Sequence, residues 1–103
     1  MYAYTVRATF ADPDMADAWI AWLVGGHIDA VLAAGALNAD IVRLDAAGLN
    51  ALEVRYAFAD ADAFRAYERD HAPRLRAEGA ARFPPSEVAY DRSDGPIVWA
   101  SYP

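Results

Sequence analysis

Two histidines, His27 and His71, are the side chains in this sequence best suited to proton transfer, and the chain has no others. A neutral imidazole can act as a general base near neutral pH, because its ordinary pKa is about 6.5. Both residues are therefore candidate catalytic residues. In the structural alternative, His27 restarts a kinked helix and His71 packs beside Tyr67 with its hydrogen bond satisfied.

A basic stretch begins at His71. Residues 71–83 read HAPRLRAEGAARF and hold three arginines in an otherwise acidic protein. Guanidinium groups bind carboxylates or phosphates through paired hydrogen bonds. Arg74 and Arg76 are therefore candidate ligand-binding residues, with Tyr67 orienting the ligand. The alternative is a solvated helix face, whose ion pairs contribute only a few tenths of a kcal/mol each, roughly.

Trp22 is a further candidate for a ligand pocket, although its helical spacing from Trp19 also suits the core between helix and sheet.

No metal site is expected, since there is no cysteine and each predicted helix holds one histidine. No cofactor is expected either. Gly25-Gly26 follows a predicted helix rather than a strand, and lacks the further glycines and the lysine of a phosphate loop.

The composition narrows the class of protein. The 103 residues suffice for one domain spanning 1–103, and the net charge of −6 argues against nucleic-acid binding. No apolar run approaches the roughly 20 residues needed to cross a bilayer, so no membrane partner is expected. Without a recognisable signal peptide, a cytoplasmic bacterial protein is the expectation.

Alternation and breaker residues predict the elements in order. Residues 2–10 alternate as a half-buried strand, and a first helix follows over 13–34 with a kink at Gly25-Gly26. Two strands over 37–45 and 51–59 flank a hairpin loop at 46–50. A second helix begins after Asp60 and bends at Pro73, because proline removes a backbone hydrogen bond.

The remaining chain predicts a fourth strand over 87–92, a turn at 94–96 and a short strand-like tail. This order is that of an α+β, ferredoxin-like βαββαβ fold, a four-stranded antiparallel sheet with two helices on one face. The other sheet face is half polar, and the aromatic tail has little room in a small core. We therefore expect a homodimer in which Val98, Trp99 and Tyr102 join the interface.

Two motifs together resemble a family of short bacterial proteins catalogued as domain of unknown function 4286. The first reads W-x-x-W-L-x-x-x-H-I-x-x-V-L-x-x-G and runs from Trp19 to Gly35; the second holds Tyr67, Ala72-Pro73, Leu75, Glu78 and Arg82-Phe83. The resemblance covers nearly the whole chain up to the VAYDR strand. It implies a ferredoxin-like dimer, similar in architecture to dimeric α/β-barrel proteins that include small monooxygenases and isomerases, and carries over no activity.

The chain departs from the family pattern at two positions. Gly79 stands where relatives often have a second histidine, and Ala34 where they usually have a threonine. Two functions then remain open, and whether the protein is an enzyme stays open with them. The first is binding or transformation of a small anionic or aromatic metabolite. The second is a non-catalytic homodimeric interaction or structural module.

Overall fold

The computed structural model describes residues 1–45 and 50–102. Strand β1 (Tyr2–Phe10) is followed by helix α1 (Pro13–Trp22), a π-helical turn (Leu23–His27) and helix α2 (Ile28–Ala33). Next come strands β2 (Asn38–Arg43) and β3 (Ala51–Phe58). Helices α3 (Ala61–Asp70) and α4 (Ala72–Arg82) and strand β4 (Val88–Pro96) follow them.

The four strands form one antiparallel sheet in the order β2-β3-β1-β4. This arrangement confirms the predicted α+β, ferredoxin-like fold. The register places Tyr4 opposite Tyr56 and Val6 opposite Val54. Because alternate residues of a strand point to the same face, these side chains lie together beneath the helices, as the alternation predicts.

The core lies between the helices and one sheet face. Aromatic rings fill one end of it, where Phe64 of α3 lies 5.2 Å from Tyr2, 5.0 Å from Tyr4 and 5.3 Å from Phe58 between ring centroids. All four side chains are buried. Aromatic rings bury large apolar areas, so this cluster anchors the second helical layer on the sheet with few residues.

The predicted kink in the first helix is confirmed. The helix gives way to the π-helical turn Leu23–His27, in which Gly26 has a φ of 149°. Residues with a side chain rarely adopt this backbone conformation, so glycine is required there. The turn separates α1 from α2, and His27 is its last residue.

The second helix breaks two residues earlier than predicted. The break lies at His71, which has a φ of −129° and separates α3 from α4. Pro73 then occupies the first turn of α4, where a helix needs no hydrogen bond from the backbone nitrogen. Proline therefore favours the start of a new helix instead of bending a continuous one.

The predicted turn at residues 94–96 is wrong, because β4 continues through it to Pro96. Its pairing with β1 extends from Phe10↔Val88 to Tyr2↔Pro96, and the Tyr2 hydroxyl donates a hydrogen bond of 2.5 Å to Asp94. Sheet pairing outweighs the turn preference of the Asp-Gly-Pro sequence.

The tail over 97–102, predicted to be strand-like, is irregular. The predicted loop at 46–50 falls almost wholly outside the described residues.

The sheet face away from the helices carries an ion cluster centred on Glu53. The Arg7 guanidinium donates hydrogen bonds of 3.0 and 2.8 Å to this carboxylate, and that of Arg55 donates bonds of 3.1 and 2.7 Å. Glu53 is 7% exposed, although it lies on the outer face.

Within the described residues, no helix has the length and apolar character needed to cross a membrane.

Candidate functional site

A cavity of about 210 Å³ lies between the helices and the sheet. Its walls combine apolar side chains from both layers with a few polar groups that converge on it. The residues lining it are Tyr4, Val6, Trp19, Trp22, Leu23, His27, Val54, Tyr56, Tyr67, Leu75, Arg76, Gly79, Ala80, Pro85, Tyr90 and Arg92. An apolar pocket with a small set of polar groups is the usual form of a small-molecule site.

His27 lines this cavity. Its imidazole stacks on the Trp22 indole, with ring centroids 4.1 Å apart and 23° between the planes. The buried Nδ1 has no hydrogen-bond partner among the described residues. Burial lowers the pKa of His27, and the negative charge of Glu78 offsets this in part. The imidazole is therefore held neutral at pH 7, the form that can accept a proton.

Arg76 reaches the cavity from α4. One terminal nitrogen donates a hydrogen bond of 3.2 Å to the Tyr4 hydroxyl and lies 3.6 Å from a Glu68 carboxylate oxygen. The buried Nε has no partner among the residues described. Since a guanidinium can donate five hydrogen bonds, Arg76 keeps donor capacity that its protein neighbours leave unused.

Three tyrosines form a polar patch inside the cavity. Tyr4 and Tyr56 lie side by side on the sheet, with ring centroids 5.9 Å apart, and Tyr67 of α3 lies 6.0 Å from Tyr4. Burial raises the pKa of Tyr56, and burial together with Tyr4 raises that of Tyr67 to about 12. These two phenols are therefore protonated at neutral pH and can donate hydrogen bonds.

The Tyr56 hydroxyl is the most deeply placed of the unpartnered groups. The residue is 3% exposed, and its hydroxyl oxygen has no hydrogen-bond partner in the described part of the chain. A buried hydroxyl without a partner costs about 1–3 kcal/mol. Together with the His27 Nδ1 and the Arg76 Nε, it gives three unsatisfied polar atoms on residues that line one cavity.

The charge of the cavity wall is opposite to that of the whole protein. Two arginines, Arg76 and Arg92, line the cavity, and no aspartate or glutamate stands among the described residues that line it; the Glu68 carboxylate, 3.6 Å from Arg76, offsets part of this charge. The chain as a whole has 15 acidic and 9 basic residues. Positive charge in a partly apolar pocket acts strongly because screening by water is reduced. The cavity therefore favours an anionic group on a ligand.

The structure brings together four of the six candidate residues: His27, Trp22, Tyr67 and Arg76. His71 and Arg74 are not part of the cavity lining. His71 stands at the break between α3 and α4, and Arg74 is exposed on the outer side of α4. The 3.6-residue period explains the difference between the arginines, since positions 74 and 76 point about 200° apart around one helix.

Sequence reasoning missed the sheet residues of the site. The strand alternation predicts only a core role for Tyr4 and Tyr56, and no pattern in the sequence points to Tyr90 and Arg92 of β4. Burial of the two tyrosines agrees with a core role, but the Tyr56 hydroxyl has no hydrogen-bond partner in the part of the chain that the structure describes. The available signal was the phenol itself, because a buried Tyr hydroxyl usually finds a partner.

No cluster of three or more histidine, cysteine, aspartate or glutamate side chains able to hold a metal ion occurs within residues 1–45 and 50–102. The polar groups of the cavity are donors or neutral acceptors rather than carboxylates. This donor set suits an organic anion better than a cation.

The family model described as "Domain of unknown function (DUF4286)" matches residues 1–93. The chain belongs to this family. The match ends within β4, so the irregular tail lies beyond it. Among the residues of the two DUF4286 motifs, Trp22, His27 and Tyr67 line the cavity. Gly79, where the chain departs from the family pattern, lines it as well. Among curated proteins, none matches the chain.

Solved structures with the same fold resemble the chain along nearly its whole length. A dimeric ferredoxin-like protein from an uncultured marine organism is 10% identical, with a TM-score of 0.74 and 100% of both chains covered. A monooxygenase from the gene ActVA-Orf6 of Streptomyces coelicolor, in complex with nanaomycin D, is 14% identical, with a TM-score of 0.74 and coverage of 99% and 91%.

A third similar structure is SnoaB, a cofactor-independent oxygenase from Streptomyces nogalater. It is 15% identical to this chain, with a TM-score of 0.63 and coverage of 96% of this chain and 94% of SnoaB. At these identities the likeness establishes the ferredoxin-like fold and leaves the chemistry to be argued from the site itself.

Proposed function

We propose that the protein binds a small aromatic compound carrying an anionic oxygen in the cavity between helices and sheet. The observation that carries this proposal is a set of three buried polar atoms that have no partner within residues 1–45 and 50–102: His27 Nδ1, the Tyr56 hydroxyl and Arg76 Nε. All three belong to residues lining the same cavity. An oxygen anion bound there would accept hydrogen bonds from Tyr56 and Arg76, and its body would fill the apolar remainder.

The size of the cavity supports a ligand with one or two rings. A cavity of about 150 Å³ accommodates benzene, and drug-sized ligands occupy pockets of about 300–1,000 Å³. The volume here, about 210 Å³, lies between these values. Trp22 and Trp19 supply aromatic wall surface, against which a planar ring packs well.

His27 is the proposed proton acceptor if the bound compound is transformed. Its pKa is lowered by burial, so the imidazole is neutral and can take a proton from an acidic hydroxyl of the ligand. Arg76 and the protonated tyrosines would stabilise the resulting oxyanion. Tyr67 and Trp22 would orient the ring. Two proteins with the same fold, described as a monooxygenase in complex with nanaomycin D and as a cofactor-independent oxygenase, support a ligand site in this architecture.

Titration calorimetry with four probes tests the proposal: benzoate, 2-naphthoate, 1-naphthol and naphthalene. The first three carry an oxygen that the cavity donors can bind, so they are expected to bind more tightly than naphthalene. Tyr56→Phe removes only the unpartnered hydroxyl and is expected to weaken 2-naphthoate binding about tenfold while leaving the fold intact. Failure of every probe to bind the wild type, or equal affinity for naphthalene and 2-naphthoate, contradicts the proposal.

A homodimer is the second part of the proposal. The tail exposes large apolar side chains, with Val98 91%, Trp99 78% and Tyr102 59% exposed. Clustered apolar side chains at a surface are typical of a protein interface. Tyr102 and Ile97 also border a cleft on the outer sheet face, which joins the tail to the face proposed to meet a second copy. Two proteins with the same fold are described as dimeric.

A further inference from the structure

Gly79 lies inside α4, where its backbone conformation does not require glycine. The glycines with positive φ among the described residues are Gly26 and Gly35. A glycine within a helix weakens it relative to alanine. The reason for glycine at position 79 must therefore be sought in what a side chain would contact.

The neighbour that a side chain would meet is Trp22. A Cβ atom at position 79 would lie 3.1 Å from Cη2 of the Trp22 indole and 3.8 Å from its Cζ2 and Cζ3. Carbon atoms pack favourably at about 3.5–4.0 Å, so the first of these contacts is too short. Either the indole or the helix has to move when a methyl group is added.

Two neighbouring rings restrict the movement of the half-buried indole. His27 stacks on it at 4.1 Å between ring centroids, and Phe83 meets it edge-on at 5.7 Å. Both Trp22 and Gly79 line the cavity. The cavity is open space on the indole's border, so an indole displaced toward it would occupy part of the space of about 210 Å³.

We propose that Gly79 determines the size of the ring system that the cavity admits. The bare backbone lets the six-membered ring of Trp22 lie against α4, and this position keeps the cavity wide enough for two fused rings. A side chain at position 79 moves the indole inward by at least a few tenths of an ångström and so narrows the space for the second ring. This inference rests on the proposed function, because it assigns a selectivity to the same site.

Titration calorimetry with benzoate and 2-naphthoate on the wild type and on Gly79→Ala tests the inference. Gly79→Ala is expected to weaken 2-naphthoate binding at least tenfold and benzoate binding less than threefold. Ala77→Ser is the matched control, since Ala77 is exposed on the same helix and is not part of the cavity lining. It is expected to bind both probes as the wild type does.

The same substitution in a Trp22→Phe background identifies the contact responsible. The smaller ring relieves the short distance, so Gly79→Ala is expected to leave the 2-naphthoate affinity of Trp22→Phe unchanged. Folding of the double variant where Gly79→Ala alone fails to fold also supports the Trp22–Gly79 contact. Unchanged 2-naphthoate affinity in Gly79→Ala overturns the inference and leaves the proposed function standing, whereas a wild type that binds neither probe overturns both.

Discussion

The imidazole of His27 stacks on the indole of Trp22, with 4.1 Å between the ring centroids and 23° between the planes. The two residues are five positions apart, and the π-helical turn between them brings one ring over the other. Stacking fixes the plane of the imidazole, while its buried Nδ1 remains without a partner among the described residues. The pair thus presents an oriented, neutral imidazole at the cavity wall.

The lowered pKa of His27 predicts a pH dependence of stability. Its folded-state pKa lies below the usual value of 6.5 because of burial. Between these two values the unfolded chain binds a proton that the folded protein does not, so stability falls as pH falls through this window. Urea unfolding at about pH 7.5 and about pH 5.5 is therefore expected to show a smaller loss of unfolding free energy for His27→Gln than for the wild type. An identical loss in both proteins contradicts this assignment.

Replacement of Arg76 by methionine is expected to weaken ligand binding, whereas the same replacement of Arg74 is expected to have no effect. Arg76→Met removes the charge at the cavity while keeping an apolar stem, and is expected to weaken 2-naphthoate binding about tenfold, roughly 1.4 kcal/mol. Arg74→Met is the matched control on the exposed side of α4, and its affinity is expected to equal that of the wild type. Calorimetry measures both. Equal losses would point to a general effect of net charge instead of a contact in the cavity.

The ion cluster at Glu53 is expected to stabilise the folded protein at neutral pH and to lose this effect in acid. Hydrogen bonds from Arg55 and Arg7 lower its pKa, so its contribution is present above the unfolded-state pKa and is lost as pH falls through the folded-state value. The two arginine side chains are 48% exposed, which reduces the effect through screening. Glu53→Gln is expected to lower the unfolding free energy by about 1–2 kcal/mol at neutral pH and much less in acid.

Urea denaturation at about pH 7 and about pH 3 measures this difference. Asp17→Asn is the control, because its ion pair with Arg43 joins side chains that are 68% and 56% exposed. Exposed pairs of this kind contribute little, so its unfolding free energy is expected to change by less than about 0.5 kcal/mol. A Glu53→Gln loss that stays constant with pH would show that packing, rather than charge, is responsible.

Substitution of an exposed apolar residue in the tail is expected to weaken the homodimer. Trp99→Ser removes the largest exposed apolar side chain of the tail and is expected to weaken dimerisation at least tenfold, measured by sedimentation velocity over a micromolar concentration series. Val24→Ser is the control, since Val24 is 66% exposed but belongs to the turn between α1 and α2. A wild type that sediments only as a monomer contradicts the homodimer, and an unchanged Trp99→Ser dimer excludes the tail from its interface.

Period-two alternation predicted β1 and β3 well, because the apolar residues at alternate positions of these two strands are buried beneath the helices. Tyr4, Val6, Val54 and Tyr56 are all buried, as the pattern requires. The end of β4 was not predictable in the same way. Its last residues are polar and turn-forming, and they become a strand only because β1 offers them backbone partners as far as Tyr2. Long-range pairing of this kind leaves no local signal.

Part of the candidate site followed from local sequence and part did not. The Gly25-Gly26 pair indicated the kink that places His27, and family spacing indicated Trp22 and Tyr67. Tyr56 could not be recognised as a site residue, because a buried tyrosine with a bonded hydroxyl and one with a free hydroxyl have the same sequence pattern. Only the positions of neighbouring side chains distinguish them.

The sequence by itself determined the order of elements, the ferredoxin-like fold, the DUF4286 family and the residues that chemistry would use. These follow from periodicity, breaker residues and side-chain type, which are local properties of the chain. The tertiary structure decided which of those residues share a cavity. Helix packing on the sheet turned Arg76 inward and Arg74 outward, and placed Trp22 against Gly79. The physical reason is that a cavity exists only between elements distant in sequence, so no local pattern encodes it.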